Sequence, residues 1–521
     1  MGYGNKNNPL IKIDNTEIRE ALENTNLEIS QALVNAGGEE FNTLKEMLDD
    51  KDFKIDVLSS VGINIESFPR ITPEANDNGR FMRAHDSLVD GGKLFIPNQI
   101  YTVNSLTFTK TINIVGSFGI LKLADGTTSS DYILSLKGDY STIEGVWFDG
   151  NKANTASNTG RAEGLRLEGN YCTVHRCISR DTLDNGYGHT FVNMGKYNVF
   201  DTCVSYNAGY AAFANVSGDY LTIRKCQAFN FRIKGFKHNG NANLVVLDDF
   251  YGETNTTDPA ADGILFDSGE GNTLAVAKVI KCTVKGTVGS NSLKCEFVDS
   301  VIIENSELLG TGSTYGINFQ ESVKEVVMKD VKLNGYMRVM EKNNQLVMKN
   351  VRIISDSSKT ENIDYRGKEL IVDGLYLEGA QNGIRLEALH ASGIQTVTID
   401  NIELNATTST SKMFRSISFL GADHITLKKY KITNGDTSIF SGLTGVSAND
   451  KQIQRSPRIF YHNNIPTTGI YKAGDIIYKP TPTISGDAGS KVVLHGWRRL
   501  TDGSTHVLNT DWVEMRMPIG I

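Results

Sequence analysis

A chain of 521 residues with 50 glycines, only 10 prolines and 22% charged residues reads as a turn-rich globular protein, neither disordered nor collagen-like. Its net charge of −7 argues against a general binder of nucleic acid or anionic membrane, whose affinity rests on clustered Lys and Arg. No apolar run has the length of a membrane span, and the N-terminal MGYGNKNNPLIKID lacks the basic-then-apolar order of a signal peptide, so synthesis and folding in a cytoplasm are expected.

Residues 1–70 read as helical. Ile18, Leu22, Ile29 and Leu33 recur at near-heptad spacing, and a second short helix is expected in EEFNTLKEMLDDKDFKIDVLSS. Such a segment either packs on the body or forms a short coiled coil that gathers chains, and the pattern leaves both open. The stretch GGKLFIPNQIYTVNSLTFTKTINIVGS then opens a repeat body expected over residues 71–450.

The repeat shows first in the thiols. Cys177, Cys203, Cys226 and Cys282 stand in similar settings, separated by one, one and two steps of about 26 residues, a spacing typical of repeat architectures. In TVTIDNIELN, Val397, Ile399, Ile402 and Leu404 alternate with polar residues in two short strand segments offset by one extra residue. The same template fits Val326, Met328, Val331 and Leu333, then Leu346, Met348, Val351 and Ile353, then Leu370, Val372, Leu375 and Leu377, and finally Ile425, Leu427, Tyr430 and Ile432. Its third apolar slot runs through Val146, the four cysteines, Phe250, Ser306, Val331, Val351, Leu375, Ile402 and Tyr430. Those thiols are therefore expected to fill one inward column as small apolar side chains, with no disulfide framework and no CxxC metal pair.

A further strand follows in each repeat, usually opened by Gly, as in GLRLEG, GYGHTF, GYAAFA, GFKHNG, GILFDS, GINFQE and GIRLEA. Residues one and three past this Gly are mostly apolar and point inward; residues two and four point outward. Two or three short strands per repeat, with no helical period, predict an all-β parallel β-helix, in which each coil buries its apolar face only by stacking on its neighbours. Residues 451–521 read as a small C-terminal β-rich module.

TLKEMLDD resembles the SLxxRLD segment that precedes the β-helix in tail and neck-appendage proteins of phages infecting Gram-positive bacteria. GGKLFIPNQIYTV is similar to the cap coil of pectate-lyase-like right-handed β-helices, and STIEGVWFDGN to one of their rungs; GIYKAGDIIYKPTP with HGWRRLTDGSTHVLNTDWVEM resembles the module that closes many such tail proteins. Met47 stands where that family has Arg, and Asn98 and Gln99 replace the cap-coil Gly. The resemblance implies a homotrimeric virion appendage of a tailspike kind. Such a protein binds, and often cleaves, a cell-surface polysaccharide or wall teichoic acid, and meets other tail or neck proteins through its N-terminal segment.

Glycan hydrolysis usually needs two carboxylates about the scissile bond, a spacing that adjacent coils supply. Counting back from the strand-opening Gly places Glu163, then Asp184 and Asn185, then Asn207 and Ala208, then Lys234, then Asp262 along one ridge. Glu163 and Asp184, on neighbouring rungs, are the expected catalytic pair. Arg166, Tyr210, Arg232, Lys234, Lys237, Asp262 and Asp267 are expected to bind substrate, Asp262 forming its own group with Asp267 and Glu253, and Trp147 points outward, where its indole either stacks on a sugar or is covered by the N-terminal region. A lyase would instead use a base and a charge neutraliser, with Arg232, Lys234, Lys237 and Tyr210 as candidates. His189 and His238 fall in the inward phase and read as interior histidines; Asp181, level with Asn207 and Asn230, reads as part of a stacked turn ladder. The RIK and YGH fragments lack the rest of the polygalacturonase signature, and no metal set, nucleotide loop or nucleophile elbow is read. A glycan depolymerase and a non-enzymatic receptor-binding spike both remain open on the sequence.

Overall fold

The computed structural model describes residues 62–518 apart from 257, 287–290, 311–314, 321, 341–343, 387–395, 412, 417–423, 435–439, 442–451, 456–458, 468–470, 472, 488–489 and 502. The two helices expected within 1–70 lie outside the described residues. The chain divides into two compact units, one ending with residues 282–289 and the other beginning with 279–281 and continuing from 290.

In the first unit each coil carries three short strands. One coil comprises Thr173–His175, Ile178–Arg180 and Phe191–Asn193. These pair in parallel with Val199–Asp201, Val204–Tyr206 and Ala211–Val216 of the next coil. Between the first two strands sits the extra residue of the sequence template, and it is a left-handed corner: Arg176, Thr202, Lys225 and Asp249 have φ of 50°, 56°, 51° and 57°. L-residues adopt this conformation at some cost. At Arg176, Thr202 and Lys225 it is held by a hydrogen bond from the corner N–H to the next coil, to Asp201 O at 3.1 Å, Arg224 O at 3.0 Å and Asp248 O at 2.9 Å. The corner turns the backbone so that the residue after it points inward again. Val146, Cys177, Cys203, Cys226, Phe250 and Cys282 are accordingly all buried.

All six cysteines are free and buried. Burial pushes the Cys172 thiol up to about 12 and those of Cys177, Cys203 and Cys295 well above their usual range, so they are inert packing groups.

The second unit repeats the plan with longer strands, Glu325–Asn334, Gln345–Ile354, Glu369–Glu378 and Thr396–Asn405, each carrying both halves of the template. Val331, Val351, Leu375, Ile402 and Tyr430 are direct register partners. The first four are buried, with Ser306 in the same slot, and Tyr430 is half-buried. In both units the strand after the loop belongs to a parallel sheet distinct from that of the preceding strands. In the first unit it runs from Leu106–Phe108 through Tyr132–Leu136, Glu163–Leu167, Phe191–Asn193, Ala211–Val216 and Lys234–Asn239 to Asp262–Asp267.

One element was not read from the sequence. Asn78–Ser87 is an α-helix inside the stretch assigned to the repeat body, burying Phe81, Ala84 and His85 on one face. The His85 Nε2 accepts the N–H groups of Thr109 and Lys110 at 3.1 and 3.3 Å, which fixes the helix to the first coils. Near the C-terminus Ile459–Tyr461, Ile476–Ser485, Val492–Arg499 and Trp512–Pro518 form a four-stranded sheet, its last three strands antiparallel, around Ile477, Trp497 and Trp512. No helix among the described residues is long and apolar enough to cross a membrane.

Candidate functional site

In the first unit the sheet formed after the loops carries a row in which Tyr132 pairs with Glu163, Ala211 with Lys234 and Lys234 with Asp262; on the coil between, His189 stands two residues before Phe191, the partner of Leu165, and its carbonyl accepts the Gly164 N–H at 2.9 Å. Glu163 opens its strand and is 1% exposed. Its Oε2 accepts a hydrogen bond from Arg166 Nε at 2.7 Å, while Arg161 Nη1 lies 3.8 Å from Oε1. Burial raises the Glu163 carboxyl above the ordinary range, and the two arginines offset that only in part. The Arg166 guanidinium lies 4.5 Å from the centre of the Tyr132 ring, and its Nη2 is buried without a hydrogen-bond partner.

One coil on, His189 is 5% exposed and its Nδ1 is buried without a partner. The imidazole meets Tyr210 edge to face at 5.3 Å, and the Tyr210 hydroxyl accepts from Lys237 Nζ at 3.3 Å. Burial, followed by the charges of Lys237, Arg161 and Arg166, lowers the His189 pKa to about 3, so the ring is neutral at neutral pH. Above this buried base lie the accessible groups: exposed Arg161, with its guanidinium 5.5 Å from the Tyr187 ring, exposed Tyr187, and half-buried Arg166, Tyr210 and Lys237. The surface is thus cationic and aromatic over a protonatable acid and a neutral imidazole, a concentration of perturbed groups that marks a candidate site.

A separate open cleft of about 410 Å³ lies where the loops leave the preceding strands, lined by Lys152, Asp181, Asp184, Asn207, Asn230 and Arg232 among others. Asp184 pairs with Lys152 at 2.8 Å. Arg232 reaches the Asp184 carbonyl at 3.4 Å and Asp258 at 3.4 Å. Asp181, Asn207 and Asn230 are a left-handed row with φ of 51°, 51° and 53°, and Asn207 Nδ2 donates to Asp181 Oδ1 at 2.8 Å, a ladder along the cleft floor.

No family model matches the chain. The phage-related protein YobO of Bacillus subtilis (strain 168) is 22% identical over 270 residues, a stretch that makes up 44% of this chain and only 32% of that protein. Among solved structures, the N-terminal fragment of gene product 12 of bacteriophage Phi29 aligns over 80% of this chain and 77% of its own at a TM-score of 0.55, with 12% identity. The A-module of the mannuronan C-5 epimerase AlgE4 of Azotobacter vinelandii covers 75% of this chain and 99% of its own at a TM-score of 0.47, with 13% identity. The chain is a right-handed parallel β-helix.

On this β-helix the expected acid pair does not form. His189, whose carbonyl accepts the N–H of Gly164 beside Glu163, stands next along the row, and Asp184 lies five residues before His189 in the loop, bound to Lys152. The cause is the glycine marker. Gly164, Gly235 and Gly263 do follow the row, and a Cβ at Gly164 would run into Ser179 Oγ and the Thr190 carbonyl. In the two coils between them, however, Thr190 and Ala212 hold that slot; Gly186, with φ of 81°, and Gly209 belong to the loops.

Lys234 and Asp262 are likewise not free to bind substrate: both are buried and form an ion pair with each other, Lys234 Nζ also donating to the Ala260 carbonyl at 2.6 Å. Asp262 forms no group with Asp267 and Glu253. Asp267 accepts the Gly269 N–H at 3.0 Å in a turn, and Glu253 lies on another sheet, accepting the Tyr251 hydroxyl. Trp147 is half-buried on that other sheet too, between Ile120 and Ile178 in register and edge-on to Phe118, away from the Glu163 row. Arg166, Tyr210 and Lys237 do converge, and Arg232 falls in the cleft. Among the described residues no group of three His, Cys, Asp or Glu side chains is placed to hold a metal ion.

The sequence reading missed Arg161, Tyr132 and Tyr187. The first had a local signal, since RAEGLR brackets Glu163 between two arginines. His238 is interior: its Nδ1 and the Asn215 amide are 2.9 Å apart, and its pKa falls to about 4 through burial. Because His189 binds its proton far less readily folded than unfolded, the stability it contributes is present above pH 6.5 and is lost as pH falls toward 3. At pH 4.5 that loss is on the order of 2 to 3 kcal/mol. Melting curves at pH 7 and 4.5 are expected to show a smaller acid shift for His189→Gln than for the wild type. Equal shifts would mean that the imidazole is solvated.

Proposed function

We propose that this β-helix is a phage virion appendage that binds an anionic cell-surface glycan, an acidic polysaccharide or a wall teichoic acid, and cleaves it. The observation that carries this reading is the layer of Arg161, Arg166, Lys237, Tyr187 and Tyr210 over buried Glu163 and neutral His189. Cations and aromatic faces suit a polyanionic sugar chain. A carboxyl whose pKa is raised by burial suits proton donation to the departing glycosidic oxygen, which both hydrolysis and β-elimination require. With Asp262, the other carboxylate of the row, several coils away and paired with Lys234, elimination fits the row better than two-acid hydrolysis. Arg161, Arg166 or Lys237 then neutralises a uronate and Tyr210 acts on the carbon-bound proton.

In this reading residues 1–70 attach to tail or neck proteins, 71–450 form the glycan-binding body, 451–521 form a terminal module, and the working particle is a homotrimer. The phage descriptions of the relatives and the shared fold support it. A second reading, a receptor-binding spike without chemistry, is favoured by the near-complete burial and arginine engagement of Glu163.

Incubation of the full chain with acidic capsule, teichoic acid and neutral glucan separates these outcomes. Unsaturated products absorbing in the ultraviolet indicate elimination, and new reducing ends without that absorbance indicate hydrolysis. Stable retention on an acidic polymer without products supports the spike, and the absence of both binding and products on every anionic polymer overturns the proposal.

A further inference from the structure

The second unit holds a polar row of its own. On the sheet formed after the loops, Asn318, Arg338, Asp364 and Arg385 are successive register partners, in the phase opposite to inward Ile317, Phe319, Ile363 and Ile384. Asp364 is 2% exposed, with Arg366 Nη2 at 3.2 Å and Arg385 Nη1 at 3.7 Å, and its charge is thereby answered twice. Arg338 is different. Its Nη1 donates to the Tyr315 hydroxyl at 2.8 Å and its Nε to the Met340 sulfur at 2.8 Å, so this half-buried guanidinium is held by a phenol and a thioether.

Beside it, Asn318 is 2% exposed and its Oδ1 is buried without a hydrogen-bond partner. A buried acceptor left unmatched is destabilising, and a guanidinium finds its best partner in a carboxylate. The Tyr315 and Tyr336 rings, 5.2 Å apart, flank the same spot, and the Tyr315 ring also lies 5.2 Å from the Arg338 guanidinium.

What would satisfy all of these groups at once is a ligand that brings an anion for Arg338, a hydroxyl donor for Asn318 and a flat apolar face for the tyrosines. We propose that Asn318, Tyr315, Tyr336 and Arg338 form a second, non-catalytic glycan site that takes one uronate residue: the carboxylate on Arg338, a ring hydroxyl donating to Asn318 Oδ1, and the sugar face on a tyrosine. This rests on the reading of the chain as a binder of acidic glycans, but uses none of the groups about Glu163. A holding site of this kind adds effective concentration for a long polymer without adding chemistry.

The test is titration of the full chain with trigalacturonate, with maltotriose as the neutral control. Two sites are expected in the wild type. Arg338→Gln and Asn318→Asp are each expected to weaken one of them by about tenfold or more, with Arg166→Gln weakening only the other. One site abolished by Arg166→Gln, or affinities within about twofold of wild type in Arg338→Gln, overturns this proposal alone; no binding at either site overturns it together with the uronate form of the reading it rests on. Should the variants not fold, phenylglyoxal labelling of the wild type followed by mass spectrometry decides the matter. Protection of Arg338 by trigalacturonate supports the site, and unchanged labelling overturns it.

Discussion

Glutamine at position 163 is expected to reduce product release from an acidic surface glycan by about 10²- to 10⁴-fold, the usual worth of a positioned general acid. The substitution keeps the shape of the side chain and an oxygen for the Arg166 Nε, whose bond to Glu163 is 2.7 Å in the wild type, so binding is expected to change little. What is lost is the proton. The pH dependence carries the same signature. Burial raises the Glu163 pKa, so the active protonated form persists above the usual carboxyl range and is lost as pH rises through the raised value. The wild-type rate is therefore expected to fall on the alkaline side of that value, and the residual rate of Glu163→Gln to lack that limb.

Arg166→Gln is the contrast, expected to raise KM more than it lowers kcat because the guanidinium serves chiefly to hold an anion. Product release by Glu163→Gln within about threefold of wild type would remove Glu163 from the chemistry, and Asp184, bound to Lys152 in the separate cleft, would not inherit the role on geometry.

The difference between the thiol column and the acid pair explains which parts of this β-helix were legible in the sequence. Cys177, Cys203 and Cys226 repeat because the slot after a left-handed corner always points inward, and its surroundings are nearly the same in each coil. The corner itself was visible as the one residue by which the two strand segments are offset. Between Asp181 and Phe191, by contrast, the chain leaves the stack for a loop whose length is not fixed by coil geometry. Gly186 and Gly209 serve loop turns there, whereas Gly164 serves a close coil-to-coil approach, and a single sequence does not distinguish the two uses. Counting from the wrong glycine placed Asp184 beside Glu163 and left His189 outside the row. The helix Asn78–Ser87 was missed for another reason: Phe81, Ala84 and His85 have helical spacing, but the resemblance of the following segment to a cap coil drew the whole stretch into the repeat body. A ridge position is also weaker information than inward phase. It puts Lys234 and Asp262 just before their strand-opening glycines, and says nothing about whether they face water or each other.

They face each other, and that sets the largest stability effect expected in the chain. Lys234 and Asp262 side chains are only 9% and 4% exposed, in register on adjacent strands. Asp262→Ala leaves the Lys234 ammonium buried with the Ala260 carbonyl but without its carboxylate, a change expected to cost about 3–5 kcal/mol. The double variant Lys234→Met/Asp262→Leu removes both charges and their desolvation cost, and is expected to recover most of that loss. Because a solenoid opens coil by coil, the measurement that reads this is hydrogen exchange within Lys234–Asn239 and Asp262–Asp267, not a single global transition. Faster exchange there in Asp262→Ala, restored in the double variant, is the expected pattern. Protection unchanged in the single variant would mean that the pair is solvated, and would return both residues to the list of groups available to a glycan.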